Sequence, residues 1–447
     1  MVNLLFRICI IILVISAEAY AVDADQPDTA VKMTTALDNT FICPNKKEAY
    51  LYLNINGCSS FGKRVPLNIS VVFDRSGSME GERMHYGKRA IEYLIEHLEP
   101  DDIMSLVVYD HEAFVLHGST PVVDRNALIK KLHRIFARGA TNMMAGLELG
   151  VQEVVSTYDK NKINRVLLFS DGQPNEGITD PFIMDRIVSD YAHKYDISIS
   201  TFGLGHEFNE FMMHDIAEAG AGNYYYIKSP IDIVNDISIE VEKLNNVVAQ
   251  NAILIIDYPY SYLTVSRVYG HPYKMLRGQI YIDMSEIHPD ESNGVLIKFI
   301  INTQPSATIN FTSRISYFSC LTLSTVAIEK MNVLTISNDA EGCSQQYNTA
   351  VLEQMIYYSS HYLLESAIKD ADSENYNGAK QKVQQARQVI SQSPVPPGYS
   401  PLLTDQQAII NQYDTHLTTA HLKSDHDRKH MQKKIHYTNY QLRKRKT

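Results

Sequence analysis

The 447-residue sequence predicts an α/β protein: a doubly wound, mostly parallel sheet with a β-sandwich domain and a C-terminal helical segment. Strand and helix patterns alternate from residue 65 to 246, which is typical of a parallel sheet covered by helices. Short alternating strands separated by turn residues fill 30–60 and 250–340, as in a β-sandwich. Apolar residues at helical spacing follow from about residue 347.

The alternating region contains uninterrupted apolar runs, among them Leu106-Val107-Val108 and Val166-Leu167-Leu168-Phe169. Such runs are expected of strands that are buried on both faces. Strands are predicted at 67–73, 103–109, 164–170, 196–202 and 222–227. Helices are predicted near 81–98, 124–136, 143–158, 180–194, 208–219 and 230–246.

The first strand of this region ends in the motif Asp74-Arg75-Ser76-Gly77-Ser78. One carboxylate and two hydroxyls at alternate positions offer three hard oxygen ligands, which suit a small divalent cation such as Mg²⁺. Open α/β sheets bind ligands beyond the carboxyl ends of their strands, and the motif lies at that place.

Two later segments bring further oxygen donors to the same predicted edge. Thr141 precedes an amphipathic helix, and Asp171 directly follows the apolar strand that ends at Ser170. Asn175 and Glu176, farther along that loop, either line a ligand-facing rim or belong to an incidental turn.

The ordered set resembles the von Willebrand factor type A (VWA) family, in which Asp-x-Ser-x-Ser, a Thr and an Asp build a metal-ion-dependent adhesion site. The resemblance implies that Mg²⁺, or Mn²⁺ or Ca²⁺, is held here by Asp74, Ser76, Ser78, Thr141 and Asp171. It implies direct contacts from Ser76 and Ser78, with Asp74 and Asp171 supplying charge and holding waters. Thr141 is then a direct ligand when a partner is bound.

Such a site leaves a position on the cation that an Asp or Glu carboxylate of a partner fills. The sequence therefore predicts an exported binding protein, acting in adhesion or complex assembly, and not an enzyme. The alternatives are a regulatory partner of an ATPase or channel-type complex, and a metal-assisted hydrolase. Against the hydrolase, His111-Glu112 and His206-Glu207 lack the second His of the zinc-protease motif, and no nucleophile elbow or P-loop is present.

Export is predicted from Met1–Ala21, which has an early Arg, an apolar run and small-residue cleavage candidates. An uncleaved anchor is the alternative. The expected location is the periplasm, the cell surface or the medium. The remaining cysteines then form two disulfides, for which three connectivities exist and local pairing, Cys43–Cys58 and Cys320–Cys343, is the interpretation adopted.

The formal net charge is −10, yet from His421 onward nine Lys or Arg face only two Asp. The acidic body argues against nucleic acid as a partner of the main domain. The basic tail is expected either to contact an anionic surface or to be a solvated, frayed terminus.

The predicted organisation places the metal domain between parts of one sandwich. The segments are a signal peptide at 1–21, N-terminal sandwich strands at 22–64, the VWA domain at 65–248, the β-sandwich at 249–345, a helical region at 346–424 and a basic tail at 425–447.

Overall fold

The computed structural model describes residues 30–42, 46–58, 64–171, 173–205, 209–227, 230–289, 291–302, 307–336, 347–395, 398, 400–419 and 425–443. In chain order its strands are β1 (Val31–Leu37), β2 (Phe41–Ile42), β3 (Glu48–Gly57), β4 (Leu67–Asp74), β5 (Ile103–Tyr109), β6 (Ala113–Pro121), β7 (Ile163–Ser170), β8 (Ser198–Leu204), β9 (Ala221–Ile227), β10 (Ala249–Asp257), β11 (Leu263–Tyr269), β12 (Lys274–Leu276), β13 (Gln279–Ile287), β14 (Ser292–Ile301), β15 (Ala307–Ser319) and β16 (Ser324–Ile336).

The helices are α1 (Glu82–His97), α2 (Arg125–His133), α3 (Met143–Ser156), α4 (Pro181–Tyr195), α5 (Glu210–Ala219), α6 (Pro230–Asn245), α7 (Thr349–Asp372), α8 (Tyr376–Ser391), α9 (Pro401–Thr419) and α10 (Asp425–Arg443). Side chains cap several of them as their sequences suggest. Asp124 accepts a hydrogen bond from the Ala127 amide at the start of α2, and Asn142 accepts one from Ala145 at the start of α3.

The central sheet has the strand order β6-β5-β4-β7-β8-β9, and every pairing except β5–β6 is parallel. Strands β4 and β7 are buried at every position, in agreement with their apolar runs. Val71 and Phe73 pack with α1 and α6 on one face, whereas Val72 packs with α3 on the other. The predicted fold class, a doubly wound and mostly parallel α/β sheet, is confirmed.

Strand β6 was not among the predicted strands. It pairs antiparallel with β5 at the edge of the sheet, and most of its side chains are exposed or half-buried. Its apolar residues, Ala113 to Leu116, are followed by polar ones and small ones without alternation, because neither face of the strand is fully buried. The pairing with β5 defines this strand, and the side-chain pattern does not reveal it.

The sandwich consists of two further sheets, with the orders β1-β3-β14-β11 and β12-β13-β10-β15-β16-β2. Strand β3 precedes the central sheet in the chain and pairs with β14, which follows it. Inward-facing residues such as Leu53, Leu254 and Phe311 form one apolar core between these two sheets. Strands from both sides of the central α/β region therefore share one sandwich.

The helices α7 to α10 share an apolar core that also includes Leu296 of β14. Residues 425–443, which were expected to be a basic tail, instead form α10, with Ile435, Asn439 and Tyr440 buried. Tyr440 Oη accepts a hydrogen bond of 3.1 Å from the Tyr224 amide of edge strand β9. Tyrosine and amide side chains make much of this contact, so hydropathy gives little sign of it, and the frayed-terminus alternative is wrong through Arg443.

Several predictions fall partly or wholly outside the described ranges. These include the signal peptide at 1–21 and both Cys43 and Cys343, so each proposed disulfide lacks one described partner. Cys58 and Cys320 are not bonded to each other. Among the helices placed by the structure, none is long and apolar enough to cross a membrane.

A buried polar network joins the central sheet to the sandwich. Arg165 of β7 lies 2.7 Å from Glu240 of α6 and also forms an ion pair with Glu286 of β13. Its Nε donates to Ser198 Oγ at 2.8 Å. Each nitrogen of this guanidinium therefore has an acceptor, which is what allows it to be buried at the junction.

His288, next to this network, predicts a pH dependence of stability. Its Nδ1 donates to the Lys243 carbonyl at 3.1 Å. Burial lowers the pKa of His288 to about 4, Lys243 and Arg165 act in the same direction, and Glu291 and Glu240 oppose them. Since the ordinary histidine pKa is about 6.5, the unfolded chain takes up a proton first as the pH falls. We therefore expect the protonation of His288 to lower the free energy of unfolding by about 2–3 kcal/mol between pH 7 and pH 4.

Urea unfolding of the wild type and of His288→Gln across this pH range measures the effect. The variant should lose less stability on acidification than the wild type. Parallel losses in the two proteins would show that His288 is not a buried neutral group.

Candidate metal centre

Three loops meet at the carboxyl ends of β4 and β7. The first leaves Asp74 and forms a single 3₁₀ turn at Gly77–Met79, which the buried Met79 side chain anchors. The Gly77 amide donates to the Gly139 carbonyl at 3.0 Å. A Cβ at position 77 would lie 3.3 Å from that carbonyl oxygen, so glycine permits this close approach between the first two loops.

Asp74 is fully buried, and both of its carboxylate oxygens have partners. Oδ1 accepts from the Ser76 amide at 2.8 Å, and Oδ2 accepts from Ser170 Oγ at 2.7 Å and from Tyr109 Oη at 3.2 Å. Burial and the nearby charge of Asp171 raise the pKa of Asp74 to about 6, although the hydrogen bonds from Ser170 and Ser76 oppose this. Since Ser170 directly precedes Asp171, its hydrogen bond to Asp74 brings the two carboxylates to neighbouring strand ends.

Ser76 and Ser78 place their hydroxyl oxygens 3.1 Å apart. Ser76 is buried, whereas Ser78 is exposed. The pair therefore extends from the buried carboxylates toward solvent, where a ligand can arrive.

Asp171 is 1% exposed. Its Oδ2 lies 3.3 Å from Arg83 Nη1. Its Oδ1 is buried, and no residue in the described part of the chain gives it a hydrogen bond. A buried carboxylate oxygen without a donor is costly, and here it lies close to a second carboxylate. A cation at this place would satisfy both groups, so the donor set fits a divalent ion.

Thr141 is buried and is held by the loop that follows Asp171. Its amide donates to Asn175 Oδ1 at 2.8 Å, and its carbonyl accepts from the amides of Asn175 and Glu176 at 3.1 and 3.2 Å. Asn175, one of the two residues suggested to line the rim, thus holds Thr141 in position.

The five predicted ligands all lie on the three loops at this edge. Direct hydrogen bonds connect Asp74, Ser76 and Ser78. Asp171 is connected to them through the preceding residue, Ser170, whose hydroxyl donates to Asp74. Thr141 is connected to the others through the backbone of its own loop. Their role as ligands stays a prediction.

Three further residues shape the centre that were not among the predicted ligands. Ser170 and Tyr109 bind Asp74, and Arg83 binds Asp171. Tyr109 reaches Asp74 because the two residues are paired in register between β4 and β5. Only Ser170 had a local signal, its position directly before Asp171.

A further carboxylate at this edge, Asp110, is already occupied. Arg75 and Arg138 lie 2.9 and 2.8 Å from its Oδ2, and His111 lies 2.9 Å from its Oδ1. Burial acts to raise the pKa of Asp110, but the Glu112 amide and the two arginines outweigh it and lower the pKa. Asp110 therefore orders the surrounding loops and is not offered to an ion.

In the residues placed by the structure, no three His, Cys, Asp or Glu side chains cluster in a way that could hold a metal. The candidate centre has only two carboxylates, and its other three ligands are hydroxyls. This donor chemistry suits an oxygen-preferring cation such as Mg²⁺ and does not suit zinc.

Residues 68–238 match the family model described as the von Willebrand factor type A domain. The chain is 30% identical over 205 residues to protein sll0103 of Synechocystis, which covers 45% of this chain and 48% of that protein. It is 27% identical over 270 residues to YfbK of Escherichia coli, covering 59% and 47%. It is also 22% identical over 259 residues to human inter-alpha-trypsin inhibitor heavy chain H4, covering 55% and 27%. The matches span about half the length of the two bacterial proteins.

Two solved structures share the fold over most of the chain. A von Willebrand factor type A protein from Catenulispora acidiphila has a TM-score of 0.68 at 14% identity and covers 86% of this chain and 91% of its own. The ArnB paralog VWA2 from Sulfolobus acidocaldarius has a TM-score of 0.60 at 16% identity and covers 92% and 98%. At these identities the likeness shows the fold alone.

Proposed function

We propose that residues 68–238, which match the von Willebrand factor type A model, bind a protein or surface ligand through a divalent ion. The ion is held by Asp74, Ser76, Ser78, Thr141 and Asp171. The protein acts in adhesion or complex assembly and performs no catalysis. Its export, directed by Met1–Ala21, is part of the proposal.

The observation that carries the proposal is the buried Oδ1 of Asp171, which has no donor in the described part of the chain. Asp74, whose Oδ2 accepts from the hydroxyl of Ser170, lies at the neighbouring strand end. Two buried carboxylates repel each other, and an ion between them removes both the repulsion and the unsatisfied oxygen. A centre built only to support the fold would instead give Asp171 Oδ1 a hydrogen-bond donor.

When bound, Mg²⁺ or Mn²⁺ supplies a Lewis-acidic position that can accept a carboxylate oxygen from a partner. The residues of the chain prepare that position. Ser76 and Ser78 present neutral hydroxyls, so they add no negative charge, and Ser78 leads to the surface. Ser170 and Tyr109 hold Asp74 in place from behind.

Metal-dependent thermal stabilisation tests the centre. An ion that binds only the folded chain stabilises it by about 2.7 kcal/mol when present at 100 times its Kd. We expect millimolar Mn²⁺ or Mg²⁺ to raise the melting temperature of the wild type. Asp171→Asn and Ser76→Ala, which remove one ligand each, should abolish that increment.

Asp101→Asn is the matched control. Asp101 is exposed just before β5, at the amino ends of the parallel strands and away from the centre. Its variant should keep the full metal-dependent rise in melting temperature. A wild type that does not respond to millimolar metal, or an Asp171→Asn variant that responds like the wild type, contradicts the centre.

Capture of a partner from surface or matrix extracts, with and without EDTA, tests the recognition role. The partner should be released by EDTA and should not be captured by Asp171→Asn. Equal retention under EDTA would show recognition that does not use the ion.

A further inference from the structure

We propose that Arg83 is a built-in counter-cation of the metal centre, which weakens ion binding and makes it depend on an anionic ligand. This inference rests on the proposed metal function and adds a residue that sets its affinity and ligand class. Arg83 contacts the Asp171 carboxylate and the Ser78 carbonyl and acts on the ion through them, so it is a positioning residue.

The guanidinium of Arg83 connects two of the three ligand loops. Its Nη1 lies 3.3 Å from Asp171 Oδ2 and donates to the Ser78 carbonyl at 2.7 Å. The side chain is 22% exposed. It therefore holds one oxygen of Asp171 and leaves Oδ1, the buried oxygen without a donor, for the centre.

The fold reserves space for this side chain. Gly205, directly after β8, has φ +85°, and a Cβ there would lie 2.8 Å from Arg83 Nε and 3.0 Å from its Cγ. The left-handed backbone and the contact both favour glycine at this position. The Arg83 side chain thus packs against the backbone at Gly205, beside the centre.

The charges of the two carboxylates and of Arg83 determine how strongly the centre binds the ion. Asp74 and Asp171 bring two negative charges, and Arg83 compensates one of them while no ion is bound. When a divalent ion enters, the centre carries one excess positive charge, and the ion and the guanidinium repel each other across a poorly solvated gap. Without the charge of Arg83, the centre without an ion would carry two uncompensated negative charges and would be less stable. The centre with a divalent ion would be neutral, so it would be more stable. Both changes favour binding of the ion.

The excess positive charge also defines the ligand class. A carboxylate from a partner restores neutrality, whereas a neutral hydroxyl or carbonyl oxygen does not. Ion and anionic ligand therefore strengthen each other's binding, and by linkage the coupling is the same in both directions. Arg83 keeps the ion weakly held until an anionic group arrives.

A purely structural role for Arg83 predicts the opposite sign. If it only connected the loops of Ser78 and Asp171, its loss would disorder the ligands and weaken ion binding, as second-shell substitutions commonly do by about 10–100-fold. The direction of the change in affinity therefore distinguishes the two roles.

Binding of Mn²⁺ alone to the full chain tests the inference, measured from the loss of the electron paramagnetic resonance signal of free Mn²⁺. Arg83→Met and Arg83→Gln should lower the Kd by about tenfold or more, because they remove the charge. Arg83→Lys keeps the charge and should stay within about threefold of the wild type. Arg83→Gln retains a donor for the Ser78 carbonyl, so it serves if the methionine variant does not fold.

Arg89→Met is the control for net charge, since Arg89 lies on the same helix and is exposed beside Glu92. It should leave the Kd unchanged. If the wild type binds Mn²⁺ and a folded Arg83→Met or Arg83→Gln variant binds it equally or more weakly, the role of Arg83 is overturned. The metal centre itself would remain supported. Failure of the wild type and of every variant to bind Mn²⁺ overturns both.

Discussion

Arg165→Leu is expected to destabilise the folded chain by about 3–5 kcal/mol, because it leaves buried carboxylates without their cation. The side chains of Arg165 and Glu240 are each 1% exposed, and that of Glu286 is 11% exposed. Burial acts to raise the pKa of Glu240, but Arg165, Tyr225 and Ser200 outweigh it and hold the pKa below its ordinary value. Glu240 is therefore ionised in the fold and depends on Arg165.

Urea unfolding at neutral pH measures this loss. Arg314→Leu is the matched control, since Arg314 pairs with Glu329 across two exposed strand positions. An exposed pair contributes about 0–1 kcal/mol, so the control should lose little. A loss below about 1 kcal/mol for Arg165→Leu would mean that water reaches Glu240 and Glu286.

The location of Arg165 gives this prediction a second consequence. Its partners lie on α6, which packs on the central sheet, and on β13 of the sandwich, so the ion pairs connect the two units. We expect the variant to weaken their association as well as the global fold. Limited proteolysis at the junction would report this as faster cleavage in native buffer.

Gly146→Val is expected to cost about 3 kcal/mol and to reduce the stabilisation by metal, because it disturbs the support of Asp74. Gly146 lies on α3 against β5, and a Cβ there would lie 2.4 Å from Tyr109 Cδ1. The backbone of the helix and the ring of Tyr109 are both packed, so neither yields easily. A displaced Tyr109 would lose its hydrogen bond to Asp74 Oδ2.

Gly118→Val provides the comparison, since a Cβ at position 118 on edge strand β6 meets only Glu153 Oε2, at 3.9 Å. Thermal unfolding with and without Mn²⁺ measures both effects in both variants. Equal stabilities of the two variants would show that α3 shifts to accommodate the side chain. A full metal increment in Gly146→Val would show that Tyr109 does not matter to the centre.

Much of the central sheet could be predicted from local sequence. The runs that became β4 and β7 are apolar throughout because both sheet faces are covered, and this pattern needs no knowledge of the neighbours. The parallel arrangement then brings Asp74 and Asp171 to one edge, since both follow the carboxyl ends of adjacent strands. The proximity of the Ser76 and Ser78 hydroxyls could be predicted from their alternate positions after Asp74.

The surroundings of the candidate centre could not be predicted in the same way. Tyr109 reaches Asp74 through the register of β4 against β5, and the Arg83 side chain that reaches Asp171 packs against Gly205, which is distant in the sequence. Strand β6 and helix α10 were missed or misjudged for a related reason. Their side chains are polar or half-exposed, so pairing and docking define them and hydropathy does not.

The positions of the buried strands along the chain, the motif at their ends and the oxygen donors were thus determined by the sequence itself, because burial and loop position leave a pattern in the residues. Tertiary structure alone decided which charges meet: Arg83 with Asp171, Arg165 with Glu240 and Glu286, and the arginines around Asp110. Electrostatic pairing acts between residues that are distant in the chain, and no local pattern records which partner a charged side chain will find.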